Sequence, residues 1–317
     1  MALDPNIQEM LNAMERSQMQ PMNQMQPPQA REMLKQMFVG MEITKIPVFT
    51  LEDRKIPGPD GEIPIRIYTP EGEGPHPVLM FFHGGGFVLG DLDTYDSVCR
   101  RLCARSGHVV VSVGYRLAPE HRFPAAVEDC LAATRWTAEN TASIDGDPAR
   151  ISVAGDSAGG NLAAVIAQRV RDGALGGVPA LAGQVLIYPV TYQVGPDTAS
   201  RKENAEGYFL TRDDMAWFGG HYFASVEDAK STDASPANAE SLSGLPPALI
   251  VTAEYDPLRD EGEDYAHSLE AAGVSTRLTR YDGMIHGFLN FYGVTERSDE
   301  VADEASEWLR EVAGTGS

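Results

Sequence analysis

Basic side chains are scarce in this sequence: 25 Lys and Arg stand against 46 Asp and Glu in 317 residues, a formal net charge of −21 with histidine neutral. A protein that tracks a phosphate backbone needs a field of Lys and Arg, so a nucleic-acid partner is excluded, and the same deficit disfavours docking on anionic lipid. The acidic surplus itself reads as a well-solvated surface or as adaptation to salt. Cysteine is nearly absent, with only Cys99, Cys103 and Cys130. The first two are four apart and would share a helix face, where Cys behaves as a small buried hydrophobe. No further Cys or His follows at the tight spacing of a zinc site, so no metal is expected. The sequence also lacks any run of about 20 apolar residues, the length that crosses a bilayer, so membrane insertion is not expected. Its opening, MALDPNIQEM, has no basic stretch followed by an apolar one, so no secretory leader is expected and the protein is assigned to the cytoplasm.

What is present reads as an ordered globular chain: 43% hydrophobic and 22% charged residues. A chain of this length can bury about 75% of its unfolded surface without crosslinks. Methionine is unevenly spread, with nine of the 12 between Met1 and Met41. Met10, Leu11 and Met14 predict one amphipathic helix, and Met33, Leu34, Met37 and Phe38 a second, after the breaks at Pro21, Pro27 and Pro28. Met-rich surfaces adapt to ligands of different shapes, so these helices suit the cover of a substrate pocket.

Beyond this segment, strand patterns alternate with helical ones. Strands are predicted over Ile43–Phe49, Ile63–Tyr68, Val78–Phe82, Val109–Tyr115, Ile151–Ala154, Val185–Tyr188, Ala248–Ala253 and Arg277–Tyr281. Helices are predicted over Ser97–Arg105, Ala125–Glu139, Gly160–Arg171, Gly262–Ala272 and Val301–Val312. Several strands are apolar without alternation, as in strands buried on both faces, and the order is that of an α/β sheet with crossover connections. About sixty residues between Tyr188 and Ala248 break the alternation, with a helical piece around Asp213–Phe223. They read as an inserted lid, since a structureless loop of that length is uncommon.

Gly155-Asp156-Ser157-Ala158-Gly159 fits G-x-S-x-G, entered by the apolar run Ile151–Ala154 and left by a helical pattern. Such a nucleophile elbow needs small residues beside the serine because the turn is tight, and it presents the Ser157 hydroxyl at a helix N-terminus. His83-Gly84-Gly85-Gly86-Phe87 follows the run Val78–Phe82. Three glycines allow backbone N–H groups to point into a pocket. The dinucleotide fingerprint G-x-G-x-x-G fails here, because from Gly84 and Gly86 its third position is Leu89. With G-x-S-x-G downstream, the glycine run reads as an oxyanion loop.

A nucleophilic serine requires a base and an orienting acid. His286, in the loop after the strand that ends at Tyr281, lies at the carboxyl end of a strand, where open α/β sheets place their ligands. His121 is its rival, also past a strand end. The acid is expected after Ala248–Ala253, with Glu254, Asp256 and Asp260 as candidates. Taken with Asp256, the chain order Ser157, Asp256, His286 is that of the α/β hydrolases.

Five ordered motifs then carry a resemblance: His83–Phe87, Tyr115-Arg116-Leu117-Ala118-Pro119-Glu120, Gly155–Gly160, Asp256-Pro257-Leu258-Arg259-Asp260-Glu261-Gly262 and His286-Gly287-Phe288. Together they resemble the bacterial hormone-sensitive-lipase-like esterases of family IV. The resemblance implies an α/β-hydrolase fold: a mostly parallel eight-stranded sheet flanked by helices, with a helical cap. It implies Ser157 as nucleophile, His286 as base and Asp256 as its orienter, with N–H groups of Gly85, Gly86 and Ala158 as the oxyanion hole. The expected division is an N-terminal cap segment at 1–42, a catalytic core at 43–189 and 236–317, and a cap insertion at 190–235. Tyr192, Phe209, Trp217 and Phe288 are expected against the substrate, and Tyr222 and Phe223 in the pocket or the lid. The expected activity is hydrolysis of short- to medium-chain acyl esters without metal or cofactor. A small-molecule ester is the partner, and a homodimer is implied by resemblance alone. A non-catalytic receptor on the same fold, or an amide or lactone hydrolase with the same triad, are the alternatives.

Overall fold

The computed structural model describes residues 2–17, 20–41, 45–176 and 179–315. The chain opens with helix α1 (Pro5–Arg16), started by the Asp4 carboxylate, which accepts from the N–H groups of Asn6 and Ile7 at 2.8 and 3.2 Å. A short turn, Met22–Gln24, leads to α2 (Pro27–Met41). In α2, Ala30, Leu34 and Phe38 recur every four residues and are buried, so a single stripe docks the helix on the body.

Of the predicted strand Ile43–Phe49, the described residues 45–49 form no strand. Ile43 and Thr44 lie outside the described residues, and the first strand, β1, spans Thr50–Gly58 instead. Its sequence hides it. As the edge of the sheet it exposes Glu52, Asp53 and Lys55, so it lacks the apolar alternation that reveals a strand, and its charges discourage pairing with another chain. It turns at Pro59-Asp60 into β2 (Gly61–Thr69), with Gly58 opposite Gly61.

The other expected elements lie within a few residues of their predicted bounds. In order they are β3 (His76–Phe82), α3 (Asp96–Ser106), β4 (Val109–Val113), α4 (Ala125–Glu139), β5 (Gly146–Asp156), α5 (Ala158–Arg171) and β6 (Gly183–Ile187). An insertion carries α6 (Ala199–Glu203), α7 (Arg212–Tyr222) and α8 (Val226–Lys230). The chain closes with β7 (Ala248–Tyr255), α9 (Arg259–Ala271), β8 (Thr276–Ile285) and α10 (Arg297–Val312). The strands form one eight-stranded sheet in the order β1-β2-β4-β3-β5-β6-β7-β8. β1/β2 and β2/β4 pair antiparallel, and every later pair is parallel. Every residue of β3, β4 and β6 is buried, which is why these strands are mostly apolar and lack the alternation of a half-exposed strand.

Because β3, β5, β7 and β8 run parallel, the residues just past Phe82, Asp156, Tyr255 and Ile285 emerge at one edge of the sheet. Cys99, Cys103 and Cys130 are buried with unbonded thiols, and burial pushes the Cys103 thiol up to about 12. No helix among the described residues is long and apolar enough to cross a membrane.

Candidate active site

Between β5 and α5, Ser157 turns the chain at φ 54° and ψ −118°, a conformation that side chains other than glycine rarely adopt. Its N–H is tied to the Ile187 carbonyl at 2.8 Å, which holds the turn. The turn brings α5 so close to β3 that a Cβ at Gly159 would be driven into the Phe82 carbonyl oxygen. Ala158 is the first residue of α5, so its N–H has no intrahelical acceptor and faces the same end of the helix as the Ser157 side chain.

Two hydrogen bonds join the chemical groups. His286 Nε2 lies 2.9 Å from Ser157 Oγ, and His286 Nδ1 lies 2.7 Å from Asp256 Oδ2. Asp256 is fully buried and its other oxygen accepts from the Leu258 N–H at 2.8 Å. The rival acids are occupied elsewhere. Glu254 accepts from the Gly283 N–H at 2.7 Å, and Asp260 accepts from the Ser200 N–H at 2.7 Å. His121 is exposed, away from this cluster. The peptide behind Asp256 is pinned by Asn204, whose Nδ2 donates to the Asp256 carbonyl at 3.2 Å.

The glycine loop is held from below. His83 stacks on Tyr115, with ring centroids 4.2 Å apart, and the Tyr115 hydroxyl donates to the His83 carbonyl at 2.7 Å. Burial pushes the His83 imidazole down to about 4, so this ring is neutral at physiological pH and braces the loop through Nδ1, 2.7 Å from the Gly84 carbonyl. Gly85 and Gly86 adopt φ of 108° and 61°. Among the described residues, neither of their N–H groups donates to a protein acceptor.

Asp156 ties loop to elbow. It accepts from the Gly84 N–H at 2.8 Å and from the hydroxyls of Tyr95 and Tyr188 at 3.1 and 3.3 Å. Burial pushes its carboxyl up to about 6, opposed by the charge on His286 and by those hydrogen bonds. A folded value above the ordinary 3.8 means that Asp156 contributes stability below pH 3.8 and loses it as pH rises through about 6. An Asp156→Asn variant, lacking this titration, should therefore gain on the parent by roughly 3 kcal/mol between pH 4 and 7. Urea midpoints of both proteins across that range measure the gain, and a constant gap would contradict it.

Residues 79–290 match the model of a family with the α/β-hydrolase fold, a span that contains the glycine loop, the elbow and the loops bearing Asp256 and His286. The chain belongs to that family. It is 49% identical over 261 residues to the carboxylic ester hydrolase LipN of Mycobacterium tuberculosis, covering 81% of this chain and 69% of that one. With the carboxylesterase NlhH of the same species it shares 46% identity over 269 residues, 83% of this chain and 82% of the relative. The solved structure of a hyperthermophilic esterase from the archaeon Pyrobaculum calidifontis superposes with a TM-score of 0.93 at 46% identity, covering 99% of each chain.

In this α/β-hydrolase chain, Ser157 and His286 open into a cavity of about 730 Å³. Its walls come from three parts of the sequence. The N-terminal segment gives Met14, Met22, Met33 and Met37, the insertion gives Met215 and Phe218, and the sheet edge gives the glycine loop. Tyr192, Phe209, Tyr222 and Phe223 line it as well. Trp217 and Phe288 do not. On α7, Met215, Phe218, Gly219 and Tyr222 share the inward face, which turns Trp217 aside to pack on His221 at 4.5 Å. Phe288 is fully buried behind His286, against Tyr188 and Tyr281 at 5.7 and 5.1 Å. Two residues with no role expected from sequence matter here. Phe218 lies against the glycine loop, where a Cβ on Gly86 would meet its ring. Glu261, buried and paired with Arg201 at 2.6 Å, accepts from the N–H groups of Thr191 and Tyr192 and so anchors the start of the insertion. The helical phase of α7 was the available signal for Phe218.

Proposed function

We propose that the chain is a serine carboxylesterase that hydrolyses short- to medium-chain acyl esters through an acyl-enzyme intermediate. The observation that supports this reading is the continuous hydrogen-bonded relay Asp256–His286–Ser157 at 2.7 and 2.9 Å, opening into a largely apolar cavity. In this reading His286 Nε2 takes the Ser157 proton as Oγ attacks the ester carbonyl, and Asp256 stabilises the imidazolium that forms. N–H groups of Gly85, Gly86 and Ala158 hold the developing oxyanion, and each such donor is typically worth about 100- to 1000-fold in rate. The alcohol leaves with the proton from His286, which next activates water to release the acid and regenerate Ser157. No step calls for a metal or an organic cofactor. Residues 1–42 and 190–235 act as the cap over the core formed by 43–189 and 236–317. The names of the relatives, carboxylic ester hydrolase and carboxylesterase, support the same substrate class.

The cavity supports a limit on acyl length. Each buried methylene contributes about 0.8 kcal/mol until the space is filled, after which the chain must leave it. A cavity of about 730 Å³ is drug-sized, and an acyl chain longer than its reach has to extend out past the cavity walls. Across p-nitrophenyl acetate, butyrate, octanoate and palmitate, kcat/KM should peak at butyrate or octanoate and fall about tenfold or more by palmitate. No turnover of any of these esters would overturn the reading in favour of a receptor. Cleavage confined to amides or lactones would redirect it to those substrates.

A further inference from the structure

His286 and Gly287 are followed by the short turn Phe288–Asn290. Gly287 takes φ 82°, and the Asn290 N–H returns to its carbonyl at 3.0 Å. Packing accounts for the neighbours of Asn290. Phe288 and Leu289 are fully buried, and Phe291 meets Phe209 and Phe38 edge-on at 5.3 and 6.2 Å. Asn290 is different. It is 4% exposed and lines the substrate cavity beside His286, yet its Nδ2, shut off from bulk water, meets no acceptor. No hydrogen bond reaches its Oδ1 among the described residues either.

Buried amides elsewhere are engaged at least in part, although Gln193 Nε2, at the same cavity, and Asn161 Oδ1 and Gln184 Oε1 also lack partners. Asn161 Nδ2 serves the carbonyls of Val190 and Ala234 at 2.8 and 2.7 Å, and Gln168 Nε2 serves that of Pro236 at 2.8 Å. A buried donor left unpaired is costly, and in native proteins such a group usually answers to a ligand or a water. An apolar residue of the same size would carry no such cost at this position.

We infer that Asn290 is a substrate-recognition residue whose Nδ2 donates to a second oxygen of the bound ester, an ether or keto oxygen separate from the reacting carboxyl. The inference rests on the esterase reading and narrows its substrate class to oxygenated esters. The reacting carbonyl has its own donors in the glycine loop and at Ala158, so the Asn290 amide is free to read another part of the molecule. Without that oxygen, binding leaves Nδ2 desolvated and unpaired. An alkyl ester is then disfavoured relative to its oxygenated isostere.

Two isosteric pairs test this on the full-length protein: p-nitrophenyl pentanoate against p-nitrophenyl 3-methoxypropanoate, and butyl acetate against 2-methoxyethyl acetate. The first probes the acyl side and the second the alcohol side. For each pair, the kcat/KM ratio of oxygenated to alkyl ester in the parent is divided by the same ratio in Asn290→Leu and in Asn290→Ala. Intrinsic ester reactivity cancels in this quotient. The expected quotient is about five- to tenfold in at least one pair. A quotient within twofold of one in both pairs, in whichever variant folds, overturns the inference while leaving the esterase reading standing. Failure of the parent to turn over any of the four esters would instead overturn that reading, and the inference with it.

Discussion

Ser157→Ala should leave a folded protein with almost no ester turnover, its kcat lower by about 10⁴-fold or more. Among the described residues, the Ser157 hydroxyl has a single hydrogen-bond partner, His286 at 2.9 Å, so its removal leaves the His286–Asp256 pair intact. The strained backbone is held by the Ser157 N–H on the Ile187 carbonyl, a bond that alanine keeps. Stability should change by less than about 1 kcal/mol, because the substitution neither opens a large cavity nor strands a charge. The oxyanion donors and the cavity also survive, so the variant should still bind ester, with residual rate from those features alone. p-Nitrophenyl butyrate hydrolysis and a thermal melt, run side by side, check both halves. Turnover within tenfold of the parent would remove Ser157 from the reaction.

Asp256→Asn is expected to cost about 10⁴-fold in kcat near neutral pH with little change in KM. Asp256 accepts two bonds, one from His286 Nδ1 at 2.7 Å and one from the Leu258 N–H at 2.8 Å. In the amide, the oxygen must stay on Leu258, so the NH₂ group turns to His286. Nδ1 then has to accept, the ring proton moves to Nε2, and Nε2 can no longer receive the proton of Ser157. Asp256 does not line the cavity, so binding is spared. Glu254→Gln and Asp260→Asn are the comparators. Their carboxylates serve Gly283 and Ser200, and their loss should leave kcat within a fewfold. A similar loss for all three would mean that the loop needs its charges for folding and that Asp256 has no special place.

Much of the sheet was legible because of burial. β3 and β4 are buried throughout, so Val78–Phe82 and Val109–Val113 carry no apolar–polar alternation and stand out, Ser112 being their one polar residue. β1 was missed for the opposite reason, being a charged edge whose single buried residue, Ile56, gives no period. α6 and α8 have five residues each, too short to show a helical repeat. Trp217 and Phe218 differ in phase: both are aromatic, but one residue is about 100° around a helix, and Phe218 is the one that faces the cavity. Asn290 left no sequence signal at all, since an asparagine in a loop is ordinary until its surroundings prove apolar.

The sequence by itself determined the available chemistry. G-x-S-x-G between an apolar run and a helix, three glycines after another run, and a histidine past the last strand are local patterns, set by steric limits within a few residues. Only the tertiary structure decided which groups meet. Glu254, Asp256 and Asp260 share one short stretch running from the end of β7 into α9 and are equivalent as text. The end of β7 and the first turn of α9 aim just one of them at His286, and no local rule encodes that direction. The same holds for the cavity. Met14, Met37, Met215 and Phe218 come from distant parts of the chain and become one wall because the sheet brings their anchoring loops to a common edge.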